Sequence, residues 1–163
     1  MKILVNELLE ELIQVAEKSA QISRICRDDN DGLFRILIQE KTNNDGKNPR
    51  FQHDYKTFAD VLIQEMAKFR LEAKVRFSKQ IYGEESNHFR NQLGQDISIE
   101  IGNDEQITYE KFVQILDYNT SVSRKLVQVI YSSSPSIINN FENDSSISVE
   151  LSDIAVWIDP IGM

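Results

Sequence analysis

Two short apolar runs in this chain each end abruptly in acid, and nothing else in the sequence constrains the fold as tightly. Gln80-Ile81-Tyr82-Gly83 leads into Glu84-Glu85, and Ile154-Ala155-Val156-Trp157-Ile158 leads into Asp159-Pro160. Both have the length and residue types of strands, and the second is unbroken enough to read as a buried central strand. Glu84 and Glu85 at a strand tip would offer oxygen ligands to a hard cation, and adjacent like charges need such a cation to be tolerated. A bare Glu-Glu pair is more often a solvated turn, and an Asp after a strand is more often an Asx-turn. Asp159, however, sits at a corner whose extended backbone is restricted by Pro160. The two acidic ends lie 75 positions apart and read as halves of one metal site.

Helical patterns surround these runs. Leu8, Leu9, Leu12, Ile13, Val15, Ala16, Ala20, Ile22 and Ile25 recur at helical spacing, and neither Gly nor Pro interrupts before Gly32. This helix is predicted to end between Asp28 and Gly32. The apolar run Leu33 to Gln39 extends it or forms a strand, and Thr42 to Arg50 has the turn residues of a mobile loop. A second amphipathic helix follows, with Phe58, Val61, Leu62, Met66 and Phe69 on one stripe and Thr57 as its N-cap. Asp60 lies in its first turn, where the plain role of a carboxylate is to stabilise the positive helix end.

Ile97 to Ile101 alternates like a half-buried strand. Thr108 to Leu116, with Phe112, Val113 and Leu116 inward, and Ser121 to Ile130 read as shorter helices. Ser132 to Ser146 reads as loop, and Ile147 to Leu151 as extended chain.

Charge and cysteine usage narrow the function classes. A net charge of -8 over 163 residues argues against coating nucleic acid or anionic lipid, which depends on clustered Lys and Arg. A polyanionic small molecule remains a feasible ligand if cations accompany it. Cys26 is the single cysteine and has no internal partner for a disulfide, the N-terminus lacks a signal-peptide core, and a cytoplasmic location is expected. No apolar run is long enough for membrane insertion.

In chain order, His53 to Glu65, Ile81 to Asn87 and Val156 to Ile161 resemble the lithium-sensitive, magnesium-dependent phosphatases that include inositol monophosphatase. Lys56-Thr57-Phe58-Ala59-Asp60-Val61-Leu62, Gly83-Glu84-Glu85-Ser86-Asn87 and the insert before Asp159-Pro160-Ile161 are most similar to members acting on inositol polyphosphates. The resemblance covers essentially the whole chain but less than half of the family's usual length. It implies an α+β fold. Residues 1–163 would be a truncated N-terminal portion of the layered α/β sugar-phosphatase fold, with two long N-terminal helices on an incomplete sheet. Residues 42–50 would be a mobile loop and 102–146 a helical insert and loop.

The resemblance also implies Mg²⁺ as cofactor, inhibition by Li⁺, and removal of the 1-phosphate from inositol 1,4-bisphosphate or 1,3,4-trisphosphate. Glu84 matches the carboxylate that binds the activating Mg²⁺ and helps orient the attacking water. Asp159 matches a carboxylate bridging two metals, and Ile161 a backbone carbonyl in a metal shell. Asp60 matches the base that pairs with a threonine hydroxyl, and Glu85 adjoins the shell as a further metal candidate.

Members read Asp-Pro-Ile-Asp-Ser/Gly-Thr at the corner, whereas this chain reads Asp159-Pro160-Ile161-Gly162-Met163. The second corner Asp and the threonine partner of Asp60 are therefore unmatched. The chain alone is expected to be inactive, and its Ile154 to Ile158 strand to present an open apolar edge. The other reading is a non-catalytic module that binds a metal or a partner.

Overall fold

The computed structural model describes residues 1–27, 38–43, 47–50, 52–75, 80–90, 94–133 and 147–160. A short strand absent from the sequence reading, β1 (Lys2–Leu4), leads directly into helix α1 (Val5–Arg27), so the helix begins earlier than its apolar spacing indicates. Its far end, predicted between Asp28 and Gly32, and most of the Leu33 to Gln39 run lie outside the described residues. The last part of that run is β2 (Ile38–Glu40), antiparallel to β3 (Tyr55–Thr57).

Helix α2 (Phe58–Val75) follows β3 without a break. It is buried nearly all round rather than along one stripe, because α1 and several strands surround it. Its Phe58 meets Phe89 and Phe112 edge-on, with ring centroids 6.5 and 6.0 Å apart. Together with Ile22, Leu62, Met66 and Leu126, these rings form the larger core. Arg70 of α2 is tied to α1 by a buried ion pair with Glu11 at 2.7 Å and a hydrogen bond to Gln14.

Two further helices close the core, α3 (Glu105–Ile115) and α4 (Thr120–Tyr131). Asp104 and Asn119 cap them by accepting from Ile107 N and Val122 N, each at 3.0 Å. Phe112 and Leu116 are buried as predicted, and Ile115 is buried beside them while Val113 is half-buried. Lys18, fully buried in α1, donates to Val129 O, to Ser132 O at 2.9 Å and to Ser132 Oγ at 3.1 Å. It thereby satisfies carbonyls that α4 leaves open at its C-terminus. Burial, with Arg70 nearby, holds the Lys18 pKa below its ordinary value against the opposing pull of Glu11.

The described strands form four two-stranded pairs. The alternating run at Ile97 to Ile101 contributes only β6 (Asp96–Ser98), antiparallel to β5 (His88–Arg90). β7 (Ser148–Glu150) lies in the predicted extended segment and pairs antiparallel with β1. β4 (Ile81–Gly83) and β8 (Val156–Ile158) pair in parallel, with Gly83 opposite Ile158.

β8 is not the buried central strand that its apolar composition predicts. Among the described residues β4 is its one hydrogen-bonded neighbour, and Trp157 is 68% exposed. Its inward residue Val156 and Ile81 of β4 pack on a second, smaller core around Ile3, Leu71 and Val75. The fold class is α+β, as the sequence implied.

Candidate metal and catalytic site

The site gathers where β3 turns into α2 and where β4 and β8 end. Thr57 and Asp60 form a reciprocal cap: Asp60 N donates to Thr57 Oγ1 at 3.2 Å, and Thr57 N donates to Asp60 Oδ2 at 2.7 Å. The Thr57 hydroxyl also donates to Asp60 Oδ2 at 2.7 Å. Asp60 therefore bonds a threonine of its own helix cap, a different residue from the corner threonine that the resemblance assigns as its partner.

One turn further along α2, the fully buried Gln64 holds the corner of β4. Its Oε1 accepts from Glu85 N at 2.9 Å and its Nε2 donates to Glu85 O. The amide passes so close to Gly83 that a Cβ there would lie 1.9 Å from Gln64 Oε1. Position 83 must lack a side chain for Glu84 and Glu85 to be presented as they are. Beyond the corner, Lys56 Nζ donates to His88 O at 2.7 Å and to Ser86 Oγ at 3.3 Å, fixing the chain that leaves the site.

The parallel register brings the two acidic strand ends together in the backbone: Glu84 N donates to Ile158 O at 3.4 Å, and Asp159 is the next residue after β8. The Asp159 side chain is exposed. Ile161, the expected carbonyl ligand, lies outside the described residues.

A fourth element completes the site. Lys41, just past β2, is 4% exposed, and its Nζ lies 2.5 Å from Glu85 Oε1, 3.2 Å from Glu84 Oε1 and 3.9 Å from Asp54 Oδ1. Its backbone N donates to Asp54 O at 2.7 Å, anchoring the residue across the β2–β3 pair.

Electrostatics follow from this enclosure. Burial pushes the Glu85 carboxyl above its ordinary value, with Glu84 and Asp60 adding to the rise and Lys41 opposing it. Burial likewise raises Asp60; the Thr57 hydrogen bonds and Lys41 pull it back, and Glu84 pushes it further up. For Lys41, burial alone would lower the pKa, but the hydrogen bonds and charges of Glu85 and Glu84 outweigh it and the net direction is up.

Among the described residues no three His, Cys, Asp or Glu side chains converge as a ready cage for an ion. The donor chemistry still suits a hard divalent cation, because every candidate ligand is an oxygen. Moreover, Asp60 is 8% exposed, and its Oδ1 is buried with no hydrogen-bond partner. A buried, unpartnered carboxylate oxygen is costly in a finished interior and reads as an acceptor awaiting a ligand or water.

Asp60, Glu84, Glu85 and Asp159 were legible as candidates in the sequence. Lys41, Gln64 and Lys56 were not. For Gln64 a signal existed, since a polar residue four positions after Asp60 interrupts an otherwise apolar helix face. Nothing local marks Lys41, whose partners are more than ten residues away.

No family model matches the chain. It is, however, clearly related to phosphatases. It is 38% identical over 157 residues to inositol polyphosphate 1-phosphatase of Mus musculus, 37% over 161 residues to that of Bos taurus and 36% over 157 residues to that of Homo sapiens. Each match takes in 96% of this chain. Over nearly its whole length the chain is thus a relative of the inositol polyphosphate 1-phosphatases, and it spans 38–39% of the length of the proteins it matches.

Proposed function

We propose that this chain carries one part of the site of a Mg²⁺-dependent phosphomonoesterase that removes the 1-phosphate of inositol 1,4-bisphosphate or inositol 1,3,4-trisphosphate. The observation that carries the reading is the parallel β4–β8 register, in which Glu84 and Asp159 follow neighbouring strand ends. The Asp60 carboxyl, within reach of the Glu84 charge, keeps an unpartnered Oδ1.

In this reading Glu84, Asp159 and the Ile161 carbonyl hold Mg²⁺, with Glu85 adjoining them. When bound, the metal neutralises phosphate charge and acidifies water. Asp60 accepts the proton of the nucleophilic water at Oδ1, while Oδ2 stays engaged with Thr57 N and Oγ1. Burial favours this role, because a carboxylate whose pKa is raised is a stronger base. Gln64 fixes the Glu85 backbone and so the direction in which Glu84 and Glu85 project. Li⁺ inhibition and a cytoplasmic location belong to the same reading.

Because the chain spans about two fifths of its relatives, turnover is proposed to require the remaining portion of the phosphatase. The alternative is a metal- or partner-binding module without turnover, favoured by the exposed aromatic face of β4 and β8. Phosphate release from inositol 1,4-bisphosphate with Mg²⁺, with and without Li⁺, tests the choice. The comparison is between this chain and one extended by the C-terminal portion of the mouse relative. Li⁺-sensitive release from the extended chain, lost in Asp60→Asn, supports the enzyme reading. Its absence from a folded extended chain refutes it.

A further inference from the structure

Among the described residues, Lys41 is the one buried cation in contact with the acids of the corner. Its ammonium touches Glu84 and Glu85, both of which the metal reading needs, and approaches Asp54. Asp54, Glu84 and Glu85 gather on the Lys41 ammonium, with the buried Asp60 within reach of the Glu84 and Lys41 charges and the Glu84 side chain itself 46% exposed. A positive charge relieves the repulsion among these acids. Lys41 supplies that charge, which also explains why the acids are drawn to an ammonium rather than converging as an empty cage. A divalent cation drawing on Glu84 Oε1 and Glu85 Oε1 would compete with the ammonium that already lies against both oxygens.

We propose that Lys41 is a resident counter-ion of the carboxylate corner, displaced when a divalent cation binds, so that cation affinity is set in part by the work of expelling it. The proposal rests on the metal reading above and adds a competitor within the chain itself. Lysine is suited to such an exchange because its charge is a point on a flexible four-carbon stem that can swing into solvent, where arginine would hold a bidentate grip. The exchange has a built-in selectivity. At equal distance a divalent ion gains about twice as much from the acids as the ammonium it would replace. It also links the site to the β2–β3 pair, because Lys41 is anchored there through its backbone N to Asp54 O.

Calorimetric titration with MgCl₂ and MnCl₂ of the native chain and of Lys41→Met, with circular dichroism as the check on folding, tests this directly. Binding at least tenfold tighter in Lys41→Met is expected. In parallel, acetic anhydride labelling of the native chain read by mass spectrometry should show Lys41 protected without cation and modified once MgCl₂ is added. This second measurement decides the matter should Lys41→Met fail to fold.

Cation binding by the native chain that is unchanged or weaker in a folded Lys41→Met, or Lys41 that stays protected at saturating Mg²⁺, overturns the displacement and leaves the metal reading standing. Absence of any cation binding in both chains overturns both.

Discussion

The β4–β8 pair has two faces, and they are finished to very different degrees. On one side Ile81 and Val156 pack on the small core, and Gln64 of α2 reaches over Gly83 to hold Glu85 by both its backbone groups. On the other side Tyr82 and Trp157, opposite each other in register, stack with ring centroids 6.3 Å apart while 49% and 68% exposed. Parallel strands are ordinarily covered on both faces. The acids at the strand ends are therefore positioned from one side only, by helices that this chain contains. The aromatic side has the character of an interior surface with nothing over it among the described residues.

The largest test attacks the finished face. Gly83→Ala would put a methyl within 1.9 Å of Gln64 Oε1, where neither the buried amide nor the strand can yield without breaking the two bonds to Glu85. A loss of roughly 2–4 kcal/mol is expected from overpacking plus stranded polar groups, read as a lower denaturant midpoint at constant slope. A loss below about 0.5 kcal/mol, the range of ordinary surface changes, would mean that Gln64 does not brace the corner.

A smaller effect is expected from Thr57→Ala, which removes the cap of α2 and leaves Asp60 with one hydrogen bond at Oδ2 in place of two. The cost is about 1–2 kcal/mol by thermal or denaturant unfolding, and Thr57→Ser should restore most of it. Failure of the serine variant to rescue would show that the hydroxyl is not what matters.

The pH dependence should separate the same two faces. Asp60 and Glu85 have folded-state pKa values raised chiefly by burial, so the native state holds protons that the unfolded chain has already released. Their contribution to stability therefore falls as pH rises from the unfolded carboxylate range, about 4, through the raised values. Lys41 also has a raised value, but its window lies far higher: it stabilises the fold at neutral pH, and that contribution fades only as pH climbs past its ordinary value of 10.5. Asp60→Asn and Glu85→Gln should each flatten the acid-side slope in urea melts at stepped pH, whereas Tyr82 and Trp157 variants should leave it unchanged. An unchanged slope in both carboxamide variants would contradict the burial of these acids.

What could be read in advance followed from local pattern. The helices announced themselves by apolar spacing, whereas the four acids stood at strand ends and a helix start and were singled out by the family resemblance. The β4–β8 register was not readable, because pairing across 75 positions leaves no mark in either segment. Lys41 escaped for the same reason, since a lysine after a short apolar run looks like any solvated charge until the fold encloses it. Ile154 to Ile158 misled in the other direction: its composition describes a strand covered on both faces, and β8 has that cover on one. Apolar composition records what a strand is suited to, and only the packing shows what it receives.

That distinction gives the smallest expected change in stability and the cleanest contrast with Gly83→Ala. Replacing Tyr82 and Trp157 together with threonine keeps strand-forming residues at both positions while removing the exposed rings. On a face that supports nothing, stability should shift by no more than about 0.5 kcal/mol. Self-association, however, should drop, because stacked exposed rings beside a strand edge left unpaired among the described residues favour contact between copies. Sedimentation velocity over a concentration series measures the second effect, and denaturant unfolding the first. A marked destabilisation would show that the rings already have a covering layer within the chain, and the two faces would then no longer differ as described.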